Sequence, residues 1–131
     1  MMPLARHRAA LFGMADDDGL KVLQAAREFR DRVLMLVGRL PRGAAPGLKS
    51  QLARAARSVS ANISEGFGRG TRPDELYFLR MANGSLEEAQ EGLRECINTG
   101  LISRKVFYRE WNLSLVISKM LAPLIAQREK E

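Results

Sequence analysis

Ser58 to Gly66 reads SVSANISEG, and this stretch decides the fold. Val59 and Ile63 stand four residues apart, the interval that stacks side chains on one helix face, while Ser58, Asn62 and Glu65 form a polar row beside them. Gly66, Gly68 and Gly70 then stop the helix, which predicts a glycine C-cap. Further along, Ala82 to Glu88 reads ANGSLEE, a second helix with Gly84 and Ser85 at its middle. A helix-interior glycine costs about 1 kcal/mol relative to alanine, and a buried amide without a partner costs about 1 to 3 kcal/mol. Those costs predict a close helix crossing at Gly84, which a leucine would overpack, with Asn62 and Glu65 turned inward to meet Ser85. The alternative is a boundary row where a bundle meets solvent, with Asn62 bridging to a neighbouring backbone; it leaves Gly84 unexplained.

Outward from this pair, periodicity gives four helices. The first spans about Leu20 to Leu40, with Leu23, Ala26, Phe29, Val33, Leu36 and Leu40 on one face and Asp16, Asp17 and Asp18 at its start. The second spans about Gly47 to Glu65 through Leu48, Leu52, Ala55, Val59 and Ile63. Thr71 and Asp74 form a capping-box-like pair ahead of the third, whose stripe Leu79, Ala82, Leu86, Ala89, Leu93, Cys96 repeats every three and four residues. Asn98, Thr99 and Gly100 close it. The fourth starts near Ser103 and turns Phe107, Trp111, Ser114, Ile117, Leu121 and Leu124 inward, with Pro123 a candidate kink. Short connections between the four make neighbours antiparallel, so the expected fold is an all-α, up-down-up-down four-helix bundle over residues 19–128, preceded by a tail over 1–18.

At 131 residues the chain suits one domain. Its single cysteine, Cys96, excludes an internal disulfide and, with no run of the roughly 20 apolar residues a membrane span needs, suggests a cytoplasmic protein. Catalysis is poorly provided for. The only histidine, His7, lies in the tail without a cysteine, histidine or carboxylate cluster, and no Glu-x-x-His pair of the di-metal bundles is present. The expectation is a non-enzyme with no cofactor and no metal. Gly66, Gly68 and Gly70 do not make a phosphate loop, because a helix precedes them and Arg72-Pro73 follows, although Arg69 and Arg72 beside exposed amides could rest one phosphate.

Charge is unevenly spread within a net +6. Residues 19–72 carry eleven Lys or Arg against three acids, whereas residues 73–98 carry two against six. Arg27, Arg30, Lys49, Arg54, Arg57, Arg69 and Arg72 are therefore the candidate nucleic-acid contacts, from the first two helices and the loop that follows. Glu87, Glu88, Glu91 and Glu95 form a solvated or partner-facing row beside the small residues Ala82, Ser85, Ala89 and Gly92, a strip suited to close helix contact within the chain or with another subunit. Aromatic residues are not interleaved with that basic set, so binding should be backbone-directed rather than by base stacking.

Gln51, Arg54-Ala55, Ser58, Asn62-Ile63 and Glu65-Gly66, followed by Phe78-Leu79, Ala82, Gly84-Ser85 and Glu87 or Glu88, resemble the four-helix-bundle family of proteins encoded within 23S ribosomal RNA intervening sequences. The resemblance covers about residues 20 to 125, with Ser64 standing where an alanine is expected. It implies a left-handed antiparallel bundle that assembles as a ring, often a homopentamer. The family looks related to the accessory variability proteins of diversity-generating retroelements, which engage a reverse transcriptase and nucleic acid. The combined expectation is a self-assembling bundle that binds RNA or DNA with little sequence preference; the alternative is a protein-interaction or accessory subunit, for example of a reverse-transcriptase complex, with no direct nucleic-acid role.

Overall fold

The computed structural model describes residues 17–130. Four helices account for the architecture: α1 (Asp17–Arg39), α2 (Pro46–Phe67), α3 (Arg72–Asn98) and α4 (Arg104–Glu129). α2 packs against α1 and α3, and α4 closes the square against α3 and α1, so every helix lies antiparallel to two neighbours. This is the expected all-α four-helix bundle. α1 begins two residues inside the segment expected as a tail, and Asp16, expected to help cap it, falls outside the described residues.

The core follows the three-and-four periodicity closely. Val22, Ala26, Phe29 and Val33 of α1, Leu52, Ala56, Val59 and Ile63 of α2, Leu79, Ala82, Leu86 and Ala89 of α3, and Ile117 and Leu121 of α4 are all buried. Trp111 is only half-buried. It stacks on Phe107 at 5.3 Å between ring centroids, and the Arg94 guanidinium of α3 covers it at 4.6 Å.

Helix ends obey their local chemistry. The Thr71 hydroxyl accepts from the amide of Asp74, and the Ser103 hydroxyl accepts from that of Val106. Gly100, at φ +76, ends α3: its amide donates to the Ile97 carbonyl and that of Leu101 to the Cys96 carbonyl, the paired bonds of a Schellman ending. A glycine caps the end of α2 as expected: it is Gly68, which stays in right-handed helical geometry and donates to the carbonyls of Ser64 and Glu65. α4 continues as one helix through Pro123, which is exposed.

The glycine expectations divide. A Cβ on Gly92 would stand 2.9 Å from Cδ1 of the buried Leu52, and one on Gly66 would meet Phe78 Cβ at 3.1 Å and the Glu75 carbonyl oxygen at 3.2 Å. These two positions set the α2–α3 approach, with Ala82 and Ala89 buried between the helices. Gly84 does not. It is exposed, and a Cβ there would meet nothing within 4 Å, so no crossing occurs at that point.

Gly84→Ala is accordingly expected to raise stability by about 0.5 to 1 kcal/mol through helix propensity alone, and Gly66→Ala to lower it by about 1 to 3 kcal/mol through overpacking against the α3 backbone. Urea unfolding of the two variants would test this contrast, and equal shifts would contradict it.

Candidate functional site

The two motif stretches face each other across the α2–α3 seam. The Ser85 hydroxyl donates to Ser58 Oγ at 2.7 Å, and Asn62 Nδ2 donates to both Ser58 Oγ and the Ser58 carbonyl at 2.8 Å. Asn62 therefore reaches Ser85 only through Ser58, and its other bond goes to the backbone of its own helix rather than to a neighbouring one. Glu65 does not join them. Its carboxylate is half-exposed and pairs with Arg69 at 2.9 Å, one helical turn on. Outside this polar chain lies an open trough of about 1160 Å³, walled by Gln51, Arg54, Glu88, Glu91 and Glu95 and floored by Leu48, Leu52 and Gly92. Gly84 and the exposed Met81 lie on its α3 side.

Two buried carboxylates, unmarked by the sequence reading, decide which cations are left on the surface. Glu75, in the first turn of α3, is buried and accepts from Arg128 Nε at 2.6 Å and from Arg72 Nη1 at 2.7 Å. Both bonds go to Oε1, and Oε2 has no hydrogen-bond partner. At the other end Glu110 of α4 is fully buried, accepting from Arg109 Nε at 3.1 Å, while Arg32 Nε of α1 lies 2.9 Å from Oε1 in an ion pair that does not meet hydrogen-bond geometry. A signal for both did exist. Glu75 precedes Leu79 and Ala82 by four and seven residues, and Glu110 precedes Ser114 and Ile117 in the same way, so each carboxylate sits on a core stripe.

These contacts sort the seven candidate cations. Arg72 is turned onto Glu75, and Arg69 lies between Glu65 and the face of Phe78, 4.7 Å from the ring centroid. The expected phosphate rest in the loop between α2 and α3 therefore has both of its cations already in contact with carboxylates. Arg30 pairs with Asp31, and Lys49 Nζ donates to the Pro41 carbonyl at 2.7 Å. Arg27, Arg54 and Arg57 remain exposed and form no ion pair among the described residues. Of the acidic row, Glu91 is bridged by Arg94, while Glu87, Glu88 and Glu95 are exposed.

Chemistry for catalysis is sparse. No group of three or more His, Cys, Asp or Glu among the described residues is placed to hold a metal ion. Cys96 is buried, and burial pushes its thiol above the ordinary range, with the neighbouring Glu95 charge adding to the effect. Such a thiol is a poor nucleophile. No helix among the described residues is long and apolar enough to cross a membrane.

Comparison with known proteins adds a family and a fold. The family model of the 23S rRNA-intervening sequence protein matches residues 18–123. A crystal structure of a protein of unknown function from the S23 ribosomal protein family of Bacteroides thetaiotaomicron superposes with a TM-score of 0.79 at 26% identity, covering 83% of this chain and 98% of that one. No curated protein matches. Neither similarity indicates an enzyme family.

Arg128→Met would remove one of the two cations that meet Glu75 in the interior, with an expected cost of about 3 to 5 kcal/mol in chemical unfolding; a change under about 1 kcal/mol would mean that Arg72 alone suffices. Cys96 in the folded protein should resist iodoacetamide at mildly alkaline pH and react fully in urea. The sign of the thiol shift also makes its stability contribution complete below the unfolded thiol pKa and lost as pH rises through the folded one.

Proposed function

The chain belongs to the 23S rRNA-intervening sequence protein family, and from that premise we propose that it is a non-enzymatic, self-associating bundle whose cationic α1–α2 flank binds the phosphate backbone of RNA or DNA with little sequence preference. The supporting observation is that Arg27, Arg54 and Arg57 stay exposed with no ion pair among the described residues, Arg54 standing at the α3 side of α2 where it also walls the trough, whereas carboxylates take up the cations of the loop after α2. A cation with no protein partner can release condensed counterions from a polyanion, and that release drives sequence-independent binding. The proposed assembly is a closed ring, with five copies as the resemblance implies, in the cytoplasm.

A second reading has its own support. The α2–α3 trough combines an apolar floor with the exposed acids Glu87, Glu88 and Glu95, which suits a cationic protein surface better than a phosphate. In that reading the chain is an interaction or accessory subunit without a direct nucleic-acid role, and a relation to the accessory variability proteins would make a reverse transcriptase the partner.

Titration with labelled duplex RNA and DNA separates the readings. Phosphate binding should weaken with salt at a log-log slope of about 0.9 per contact, and reversing Arg27, Arg54 and Arg57 to glutamate should abolish measurable binding near physiological salt. Unchanged affinity in that triple variant would remove the flank from consideration. Light scattering of the same samples reports subunit number, and a monomer at micromolar concentration would contradict self-association.

A further inference from the structure

Four exposed cations without an ion pair among the described residues, Arg39, Arg42, Arg104 and Lys105, gather at one end of the bundle, and the fold rather than the sequence brings them there. α1 and α4 are antiparallel neighbours, pinned by the 2.9 Å approach of Arg32 Nε to Glu110 Oε1. Arg39 follows Arg32 by seven residues and Arg104 precedes Glu110 by six, so at about 1.5 Å per residue both rise about 10 Å from that contact towards the same end. Two full turns also put Arg39 on the same face of α1 as Arg32, towards α4. Lys105 lies one turn before Arg109, whose guanidinium touches Glu110, and Arg42 follows in the loop joining α1 to α2. Arg39, Arg42, Arg104, Lys105 and Arg109 are exposed.

On α1 and α4 the carboxylates of the adjoining turns are already occupied, Glu28 by Arg32, Asp31 by Arg30, and Glu110 by Arg32 and Arg109, while on α3 Glu95 stays exposed about one turn before the 99–103 connection. The opposite end is different. There Arg69, Arg72, Arg80 and Arg128 each meet a carboxylate, and only lysines, Lys21, Lys119 and Lys130, are exposed without an ion pair among the described residues. The end carrying the 40–45 and 99–103 connections thus holds three exposed arginines, Arg39, Arg42 and Arg104, that no carboxylate among the described residues takes up.

An aromatic side chain stands inside this cationic end. Tyr108 lies three and four residues beyond Lys105 and Arg104, so the three share a face of α4. Its ring meets the buried Phe107 edge-on at 5.1 Å and is 48% exposed, which leaves it braced from one side and open on another. Cations that track a backbone, interleaved with an exposed ring, are what a single strand with unpaired bases requires and a duplex does not.

We infer that this end of the bundle is a binding site for single-stranded nucleic acid, with Arg39, Arg42, Arg104 and Lys105 on the phosphates and Tyr108 stacking a base. The inference rests on the phosphate-binding reading above and moves its centre from the α1–α2 flank to the end of the molecule.

Fluorescence anisotropy of the full chain with labelled twenty-nucleotide oligouridine, oligothymidine and a duplex RNA of equal length tests it. Tyr108→Ala should weaken single-strand binding by about tenfold without altering the salt slope or duplex binding, while Tyr108→Phe stays within about twofold of the parent. Replacing Arg39, Arg104 and Lys105 together with glutamine should lower the single-strand salt slope by about 2, at about 0.7 per phosphate contact. All of these side chains are exposed, and circular dichroism confirms that each variant is folded. Equal behaviour of oligouridine and oligothymidine is expected, and a strict preference for one sugar would overturn a site built only from phosphate and stacking contacts. If the parent binds single strands and every variant here matches it in affinity and slope, the end site is refuted while the flank reading stands or falls by its own arginine variants. A parent that binds neither single strands nor duplex at low salt refutes both.

Discussion

A carboxylate removed from water must be met by a cation, and Glu75 and Glu110 impose that requirement at the two ends of the bundle. Glu75 draws Arg128 from the last turn of α4 and Arg72 from the start of α3, while Glu110 draws Arg32 from α1 and Arg109 from its own helix. Each carboxylate therefore ties α4 to a neighbour at a fixed height. Apolar stripes can slide past one another by a turn at modest cost, but a slide would leave a buried charge unpaired, so these pairs favour one register over its neighbours.

The same requirement shapes the surface. Cations near a buried acid are withdrawn from anything outside the molecule, and only those without such a neighbour remain open to a polyanion. A sequence count that assigns eleven basic residues to positions 19–72 treats Arg32 and Arg72 as equivalent to Arg27 and Arg57. The fold separates them. It also joins cations that are far apart in the chain, because the ends of α1 and the start of α4 share one end of the bundle.

Legibility from the sequence followed the strength of the periodic signal. The stripes of α1 to α3 are regular, and their helices begin and end within three residues of expectation. Gly84 shows how a correct cost can support a wrong conclusion. Two residues beyond the buried Ala82, it sits about 200° round the helix, on the face opposite the core, so the wheel itself excluded a crossing within the chain. Gly92, ten residues beyond Ala82, returns to the α2 side and does make the close approach to Leu52. Ser85 was expected to receive Asn62 and Glu65, but its partner is Ser58, since serine, asparagine and glutamate on neighbouring turns offer several pairings that periodicity does not distinguish. The interleaving of Tyr108 with Arg104 and Lys105 was in plain view but lay outside the segment where basic residues were counted.

Trp111 is the chain's single tryptophan, and its setting gives the bundle an internal optical reporter. The indole lies against Phe107 of its own helix and beneath the Arg94 guanidinium of α3, so its emission responds to the spacing of two helices rather than to one. Glu110, its sequence neighbour, anchors the opposite side of α4 to α1. Any motion that parts α4 from either neighbour thus changes the polarity around one fluorophore, and the opening or tightening of this half of the molecule can be followed in real time without attaching a label.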